Sequence, residues 1–462
     1  MAAIVLVNPP VNFDISSDYQ MDHPITGPLV LASICETKGY SVAFFDDRDR
    51  FWTLSQLLKK IEKEKPKIVG ISSFTSTIRG AVQLAKALKR KYKNEFTIML
   101  GGPHVSADPE IIKRFPYFDV GVVREADITF PQLAERIIKK GEKIKGIFIG
   151  ETPMNLDEFP FPARYLIDWS RYPAFRTHNV MASRGCPFRC NFCSIPSIER
   201  KTRYRSPKLV VEEMRLAYSY THTKYFTFLD DTLTLNRDHM MALCDEMLNQ
   251  GVNFKWEGHT RANLVDDELL AKMKKAGCCE LIFGVESGNE RIRTEIIGKG
   301  IKDCEIERAM ELCHKNGILA DYYLMLGFPQ EGEKEVEDTV NFPLKYRWKP
   351  NVFGLHITLP LPGSLIFEQA IKERIIPKDV IDRFIKGEYG PHFNESWPLY
   401  HNKEVPLAYL KEARTRAYKK FYFRPAYFWH RAKTDWRVGW RIKQDFKKFK
   451  ELIALKRFIH WE

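Results

Sequence analysis

The chain of 462 residues is 44% hydrophobic and 28% charged, which excludes a disordered or low-complexity chain and leaves room for two or three globular domains. No run of 18 apolar residues occurs, and the N-terminal Met1-Ala-Ala-Ile-Val-Leu-Val-Asn-Pro-Pro10 lacks the basic start and cleavage site of a secretory signal, so a cytoplasmic protein is expected. The formal net charge of +13 gathers at one end: residues 411–462 hold 16 Lys and Arg against 5 Asp and Glu, a net of +11, so the basicity belongs to a tail and not to the body.

Residues 1–150 alternate apolar, β-branched runs with stretches of helix length; Ile4 to Val7, Val42 to Asp46, Lys67 to Phe74, Thr97 to Leu100 and Val120 to Val123 read as strands. The alternation predicts a doubly wound parallel sheet, an α/β domain whose ligand crevice lies beyond the carboxyl ends of its strands. Those ends read Asn8-Pro-Pro10, Asp46-Asp47, Ser72-Ser73 and Gly101-Gly102-Pro103-His104, and glycine there lets a large ligand approach the backbone. A proline-marked linker, 151–175, follows. From 176 to 371 the alternation restarts with Val180 to Ser183, Phe226 to Leu229, Phe254 to Glu257, Leu281 to Val285, Ala320 to Leu326 and Val352 to Thr358. Six such units predict a partial (β/α)6 barrel. Residues 372–462 turn aromatic and basic, and the recurrence of Phe446, Phe449, Leu452, Leu455 and Phe458 predicts an amphipathic helix in a mainly α-helical C-terminal region.

The chemistry concentrates at Cys186, Cys190 and Cys193, a CxxxCxxC loop leaving the first strand of the predicted barrel. Nine cysteines, an odd number without framework spacing, fit a reducing compartment and a thiolate metal site better than disulfides. Three thiolates on one loop can hold zinc or iron. A zinc ribbon needs a second pair of ligands at regular spacing, and none follows Cys193 at a suitable distance. An iron-sulfur cluster held by three cysteines leaves one iron open to a non-protein ligand, and that vacancy is the reactive position.

CxxxCxxC with an aromatic, Phe192, before its last cysteine, at the first strand of a barrel, resembles the radical S-adenosylmethionine superfamily. The resemblance implies a 4Fe-4S cluster on Cys186, Cys190 and Cys193 whose open iron is chelated by S-adenosyl-L-methionine. It also implies one-electron cleavage of that cofactor to methionine and a 5'-deoxyadenosyl radical. By the same resemblance Phe192 and the strand ends supply its contacts: Asp230 or Asp231 for the methionine ammonium, Glu286 and Ser287 near the ribose, and the Leu324 to Glu331 turn with Gly327 near the adenine. The sheet domain ahead of the barrel is similar to the cobalamin-binding subgroup, over roughly residues 1–425, and places Asn8, Ser72, Ser73, Gly101, Gly102, Pro103 and Glu125 at a cobalamin crevice. The DxHxxG loop of classical cobalamin domains is missing, since the segment reads Asn8-Pro-Pro-Val-Asn-Phe-Asp14; no histidine lower ligand is expected, and His104 is assigned to a turn or pocket wall. Where many relatives carry a GEGE-like segment this chain reads Val123-Arg-Glu-Ala-Asp127, so local contacts to the cobalamin tail must differ.

The resemblance implies a cobalamin-dependent radical methyltransferase adding a methyl group to an unactivated carbon of a small-molecule, lipid or natural-product substrate. A radical cyclase or oxidative rearrangement enzyme, like the anaerobic porphyrin-ring cyclase, shares the motifs and is the alternative within enzymes. A reading of another class, a nucleic-acid or membrane-surface binder with a structural cluster, rests on the basic aromatic tail. Nucleic acid is not the expected partner. An electron donor such as flavodoxin or ferredoxin is expected, with peripheral membrane contact through the tail a lesser expectation. No catalytic acid or base is assigned, and Tyr322, Tyr323 and His356 face either the barrel interior or its core.

Overall fold

The structure, a computed structural model, describes residues 1–13, 24–48, 52–172, 177–346, 353–390, 400–401 and 404–427. The amphipathic pattern of 446–458 lies outside them.

β1 (Ile4–Asn8), β2 (Val42–Asp46), β3 (Ile68–Ser72), β4 (Thr97–Gly101), β5 (Val120–Val123) and β6 (Gly146–Ile149) form one parallel sheet in the order β2-β1-β3-β4-β5-β6. The crossovers contain α1 (Thr26–Thr37), α2 (Leu54–Glu64), α3 (Ile78–Tyr92), α4 (Pro103–Ala107), α5 (Ile111–Arg114) and α6 (Thr129–Ile138). Leu57 and Leu88 bury one face of the sheet and Leu29 and Phe130 the other, so the central strands read as unbroken apolar runs. Strand order reverses between β1 and β3, and the crevice outside such a switch point is where this fold binds ligands. The sixth strand was not predicted. Gly146-Ile-Phe-Ile149 sits at an edge and is only partly buried, so little apolar patterning marks it.

The second sheet is also parallel. β7 (His178–Val180) leads into a short antiparallel pair, β8 (Ser183–Arg184) with β9 (Arg203–Tyr204). Then come α7 (Pro207–Thr221), β10 (Tyr225–Phe228), α8 (Arg237–Asn249), β11 (Lys255–Thr260), α9 (Asp267–Lys275), β12 (Cys278–Glu286), α10 (Asp303–Lys315), β13 (Leu319–Leu326), α11 (Glu333–Lys345) and β14 (Phe353–Ile357). The order β14-β13-β12-β11-β10-β7 is that of a six-stranded partial barrel. Trp256, Phe226, Phe283 and Tyr322 fill the layer under its helices. Tyr322 is therefore a core residue, while Tyr323 is 41% exposed and stacks on His259 at an interplanar angle of 13°. The predicted first strand, Val180 to Ser183, breaks after Val180 because the buried Asp230 carboxylate accepts from the Ala182 amide (3.0 Å) and the Ser183 hydroxyl.

The chain after β14 ties the two sheets together. α12 (Leu365–Lys372) and α13 (Val380–Lys386) add Ile366 and Phe384 to the core under Ile71 and Leu88, and Asp382 pairs with Arg114 at 2.8 Å. α14 (Leu407–Tyr422) covers the open edge of the barrel. Its Tyr418 hydroxyl donates to the Leu355 carbonyl (3.1 Å) and accepts from the Leu355 amide (2.9 Å), and Tyr422 does the same for Phe353. Two hydroxyls thus satisfy β14 groups that a bare edge leaves unpaired.

Candidate active site between the two sheets

The cysteine loop crosses the carboxyl end of the barrel. Gly185 enters it at φ 89°, and a Cβ there would lie 2.5 Å from the Lys201 carbonyl; glycine is what lets the loop press against the β9 side. The Cys193 amide donates to the Cys190 carbonyl and the Asn191 amide to that of Ile297, both at 3.0 Å. The Phe192 ring stands edge-on to Phe328, 6.1 Å away, next to the turn after β13. Among the described residues no three His, Cys, Asp or Glu side chains group to hold one metal ion. Cys186, Cys190 and Cys193 instead act on one another electrostatically across the loop, a spread donor set that suits a cluster taking one thiolate per iron. Burial pushes the Cys193 thiol up to about 12 and raises that of Cys190, so thiolates form there when a metal displaces the proton.

Two cations that sequence reasoning missed flank Cys190. The Arg261 guanidinium lies 3.7 Å over the Phe188 ring, with Nη1 4.0 Å from the Cys190 sulfur. Its Nη2 donates to the Lys299 carbonyl. Lys299 Nζ is 2.6 Å from Glu286 Oε1, a pair buried on both sides. A Cβ on Gly284 would fall 2.4 Å from Glu286 Oε1 and 2.6 Å from Lys299 Nζ, so that glycine makes the room. The charges of Lys299 and Arg261 favour the Cys190 thiolate against its burial. The only signal in the sequence was Lys299 between two glycines, Gly298 and Gly300.

Of the residues predicted for S-adenosylmethionine, Asp231 acts electrostatically on Cys193 and Glu286 on Cys190. Gly327, at φ 85°, makes the turn beside Phe192's partner Phe328, and the amides of both turn residues donate to the buried Glu331 carboxylate. Burial raises the Glu331 carboxyl to about 7. Asp230 and Ser287 meet other protein groups in this structure. Asp230 is 2% exposed and spent on the β7 to β8 break, its carboxyl raised by burial to about 6. The fully buried Ser287 turns to Thr339 on α11, with 3.2 Å between hydroxyls.

On the sheet domain a cavity of about 270 Å³, open to solvent, runs from α1 over the ends of β3 and β4 to Met181 and Arg184 of the barrel. Ser72, Gly101, Gly102 and Pro103 line it as predicted. Asn8 and Ser73 lie outside its wall at the switch point; both are buried, and among the described residues neither the Asn8 side-chain amide nor the Ser73 hydroxyl has a hydrogen-bond partner. Buried polar atoms left so are costly unless water or a ligand meets them, and together with the glycine-rich cavity they fit a large polar-rimmed ligand such as a corrinoid. Glu125 departs from expectation. It pairs with Arg184 at 3.2 Å and with Arg203, while Asp127 holds Arg184 at 3.0 Å, so these carboxylates bind the barrel to the sheet. His104 is buried with Nδ1 3.1 Å from Thr75 Oγ1, and burial lowers its pKa to about 4, leaving it neutral.

A doubly wound ligand-binding sheet facing a partial barrel with an open three-thiol loop defines a class of two-cofactor enzyme. The B12 binding domain profile matches residues 15–134 and the Radical SAM superfamily profile residues 180–342. An uncharacterized methyltransferase of Pyrococcus horikoshii is 32% identical over 441 residues, 91% of this chain and 93% of that protein. The anaerobic magnesium-protoporphyrin IX monomethyl ester cyclase of Rubrivivax gelatinosus is 26% identical over 364 residues, 73% of this chain and 65% of its own length. Among solved structures, the cobalamin-dependent S-adenosylmethionine radical enzyme OxsB, with aqua-cobalamin and S-adenosylmethionine bound, superposes with a TM-score of 0.71 at 16% identity, over 92% of this chain and 67% of that one; this shows a common fold. The chain belongs to the cobalamin-binding radical S-adenosylmethionine family. It is an enzyme whose cofactors are a 4Fe-4S cluster, S-adenosylmethionine and cobalamin.

Proposed function

We propose that the protein is a radical methyltransferase acting on an unactivated carbon of a small-molecule or lipid substrate. The observation that carries this is the shared wall between the two cofactor sites: Arg184, two residues before Cys186, lines the sheet-domain cavity and is held by Glu125 and Asp127. When bound, the cluster with S-adenosylmethionine supplies a carbon radical and cobalamin supplies a methyl group, which an unactivated carbon without a lone pair requires. Cys186, Cys190 and Cys193 hold the cluster. Asp231, Glu286 and the Gly327 turn hold S-adenosylmethionine. Lys299 neutralises Glu286, whose carboxylate would accept from that ligand's hydroxyls. Ser72, Gly101, Gly102 and Pro103 shape the cobalamin crevice, with Asn8 and Ser73 as polar contacts at its base. Asp230 and Ser287 act indirectly, by fixing the backbone. Hydrogen-atom abstraction needs no ionised acid or base, in keeping with a site where Glu286 is paired and Glu331 is buried. A small acidic redox protein, flavodoxin-like or ferredoxin-like, is the electron donor of this reading. Among the described residues no helix is long and apolar enough to cross a membrane.

The cyclase relative favours a second reading, in which the same residues generate the radical and the substrate closes a ring instead of gaining a methyl group. Reduced protein loaded with both metal cofactors, given methyl-labelled S-adenosylmethionine and fractionated small-molecule and lipid extracts, separates the two. Methyl transfer gives labelled product together with 5'-deoxyadenosine; deoxyadenosine with an unlabelled, dehydrogenated or cyclised product overturns it in favour of the second.

A further inference from the structure

We propose that Arg124 anchors the phosphodiester of the cobalamin nucleotide tail at the mouth of the sheet-domain cavity, and so selects complete cobalamin over corrinoids that lack the tail. The inference rests on cobalamin binding by this domain and assigns one side chain its part in recognition. Arg124 follows β5 at φ 67°, a left-handed conformation that every residue with a Cβ resists and glycine adopts freely. Its backbone amide donates to Ser106 Oγ at 2.8 Å. Among the described residues its exposed guanidinium makes no hydrogen bond or ion pair, yet the side chain lines the cavity.

The rest of that wall gives the side chain its meaning. Leu6, Ile25, Phe74, Met99 and Phe130 make the slot largely apolar, and the other cation in it, Arg184, is matched by Asp127 and Glu125. An apolar slot with one uncommitted cation at its rim suits a flat apolar heterocycle joined to a single negative charge. The cobalamin tail has that form: a benzimidazole, a ribose and a phosphodiester. Arginine is the side chain best matched to phosphate, through paired N–H donors. A strained backbone kept for a side chain that pairs with nothing among the described residues points to a ligand.

The test compares hydroxocobalamin with cobinamide, which keeps the corrin ring and lacks the nucleotide, by equilibrium dialysis against the full chain. Arg124→Gln is expected to weaken hydroxocobalamin about tenfold, the loss of one charge-assisted contact, and to leave cobinamide unchanged. Arg124→Gly removes the strain with the side chain; it is expected to melt no lower than the wild type and to show the same selective loss, so misfolding cannot mimic the result. Added salt is expected to weaken hydroxocobalamin and not cobinamide in the wild type, because the contact is exposed. Unchanged hydroxocobalamin affinity in both variants, or equal losses for the two corrinoids, would overturn the assignment of Arg124. A wild-type chain that bound neither corrinoid would instead overturn the cobalamin reading beneath it.

Discussion

Beside the cysteine loop the buried Glu286 and Lys299 are matched to one another, whereas in the crevice of the sheet domain the Arg124 guanidinium meets no counter-charge among the described residues. Glu286 meets Lys299 at 2.6 Å and Arg261 rests on Phe188 beside Cys190. Among the described residues the equally buried Asn8 amide and Ser73 hydroxyl have no hydrogen-bond partner, and Arg124 lines an open cavity. The difference follows from what each place must tolerate when empty. A carboxylate and an ammonium in a low-dielectric interior lose several kcal/mol of hydration each, which only a close counter-charge offsets. Neutral amides and hydroxyls cost less to leave open, so a crevice built from them and from glycine can stand unfilled.

Substitutions that strike one side of this contrast and spare the other measure it. The largest effect is expected from Lys299→Met, which leaves Glu286 charged and alone; breaking such a pair costs about 3–5 kcal/mol, read by denaturant unfolding of the apoprotein. A loss below about 1 kcal/mol would mean that Glu286 is not confined as described. Arg184→Met cuts the junction, removing charge-assisted bonds to Glu125 and Asp127. A loss of about 2 kcal/mol is expected, with faster proteolysis in the linker between the sheets; protection equal to the wild type would show that other contacts carry the junction.

Glu331 gives a pH signature on the paired side. Its folded pKa of about 7 lies above the ordinary 4.5 because of burial, so the native state holds that proton more tightly than the unfolded one. The contribution is complete below pH 4.5 and is lost as pH rises through about 7, at a slope approaching 1.4 kcal/mol per unit. Glu331→Gln should flatten stability across that window, and a slope unchanged by the substitution would assign it elsewhere. The smallest effect is expected at Ser73→Ala in the crevice. Deleting a buried hydroxyl that has no partner among the described residues is expected to leave apoprotein stability unchanged or raise it by up to about 1 kcal/mol, whereas a clear loss would reveal a hidden bond.

The crevice was the more legible of the two regions because its signals are local. Glycine and small polar residues at the ends of apolar runs mark it directly, and Ser72 and Gly101 to Pro103 lie in the cavity wall where the pattern placed them. The cysteine spacing was legible for the same reason. What stayed hidden was pairing at long range: Arg261 with Cys190 spans 71 positions, and Arg203 with Glu125 spans 78. No window of sequence joins such residues, so Glu125 read as a crevice residue when it belongs to the junction. Asp230 and Ser287 show the same limit in another way. Each sits in a motif at a strand end, but its neighbours' backbone amides and Thr339 claim it first. The break after Val180 followed from the same Asp230 bond and left no mark on local propensity.

The central claim is that Cys186, Cys190 and Cys193 hold the cluster that opens S-adenosylmethionine. The direct measurement is 5'-deoxyadenosine release by anaerobically reconstituted, reduced protein, wild type against a chain with all three cysteines changed to alanine. The wild type is expected to release it and the triple variant to fall to background while keeping its fold by circular dichroism. Release by the triple variant at the wild-type rate would contradict the account.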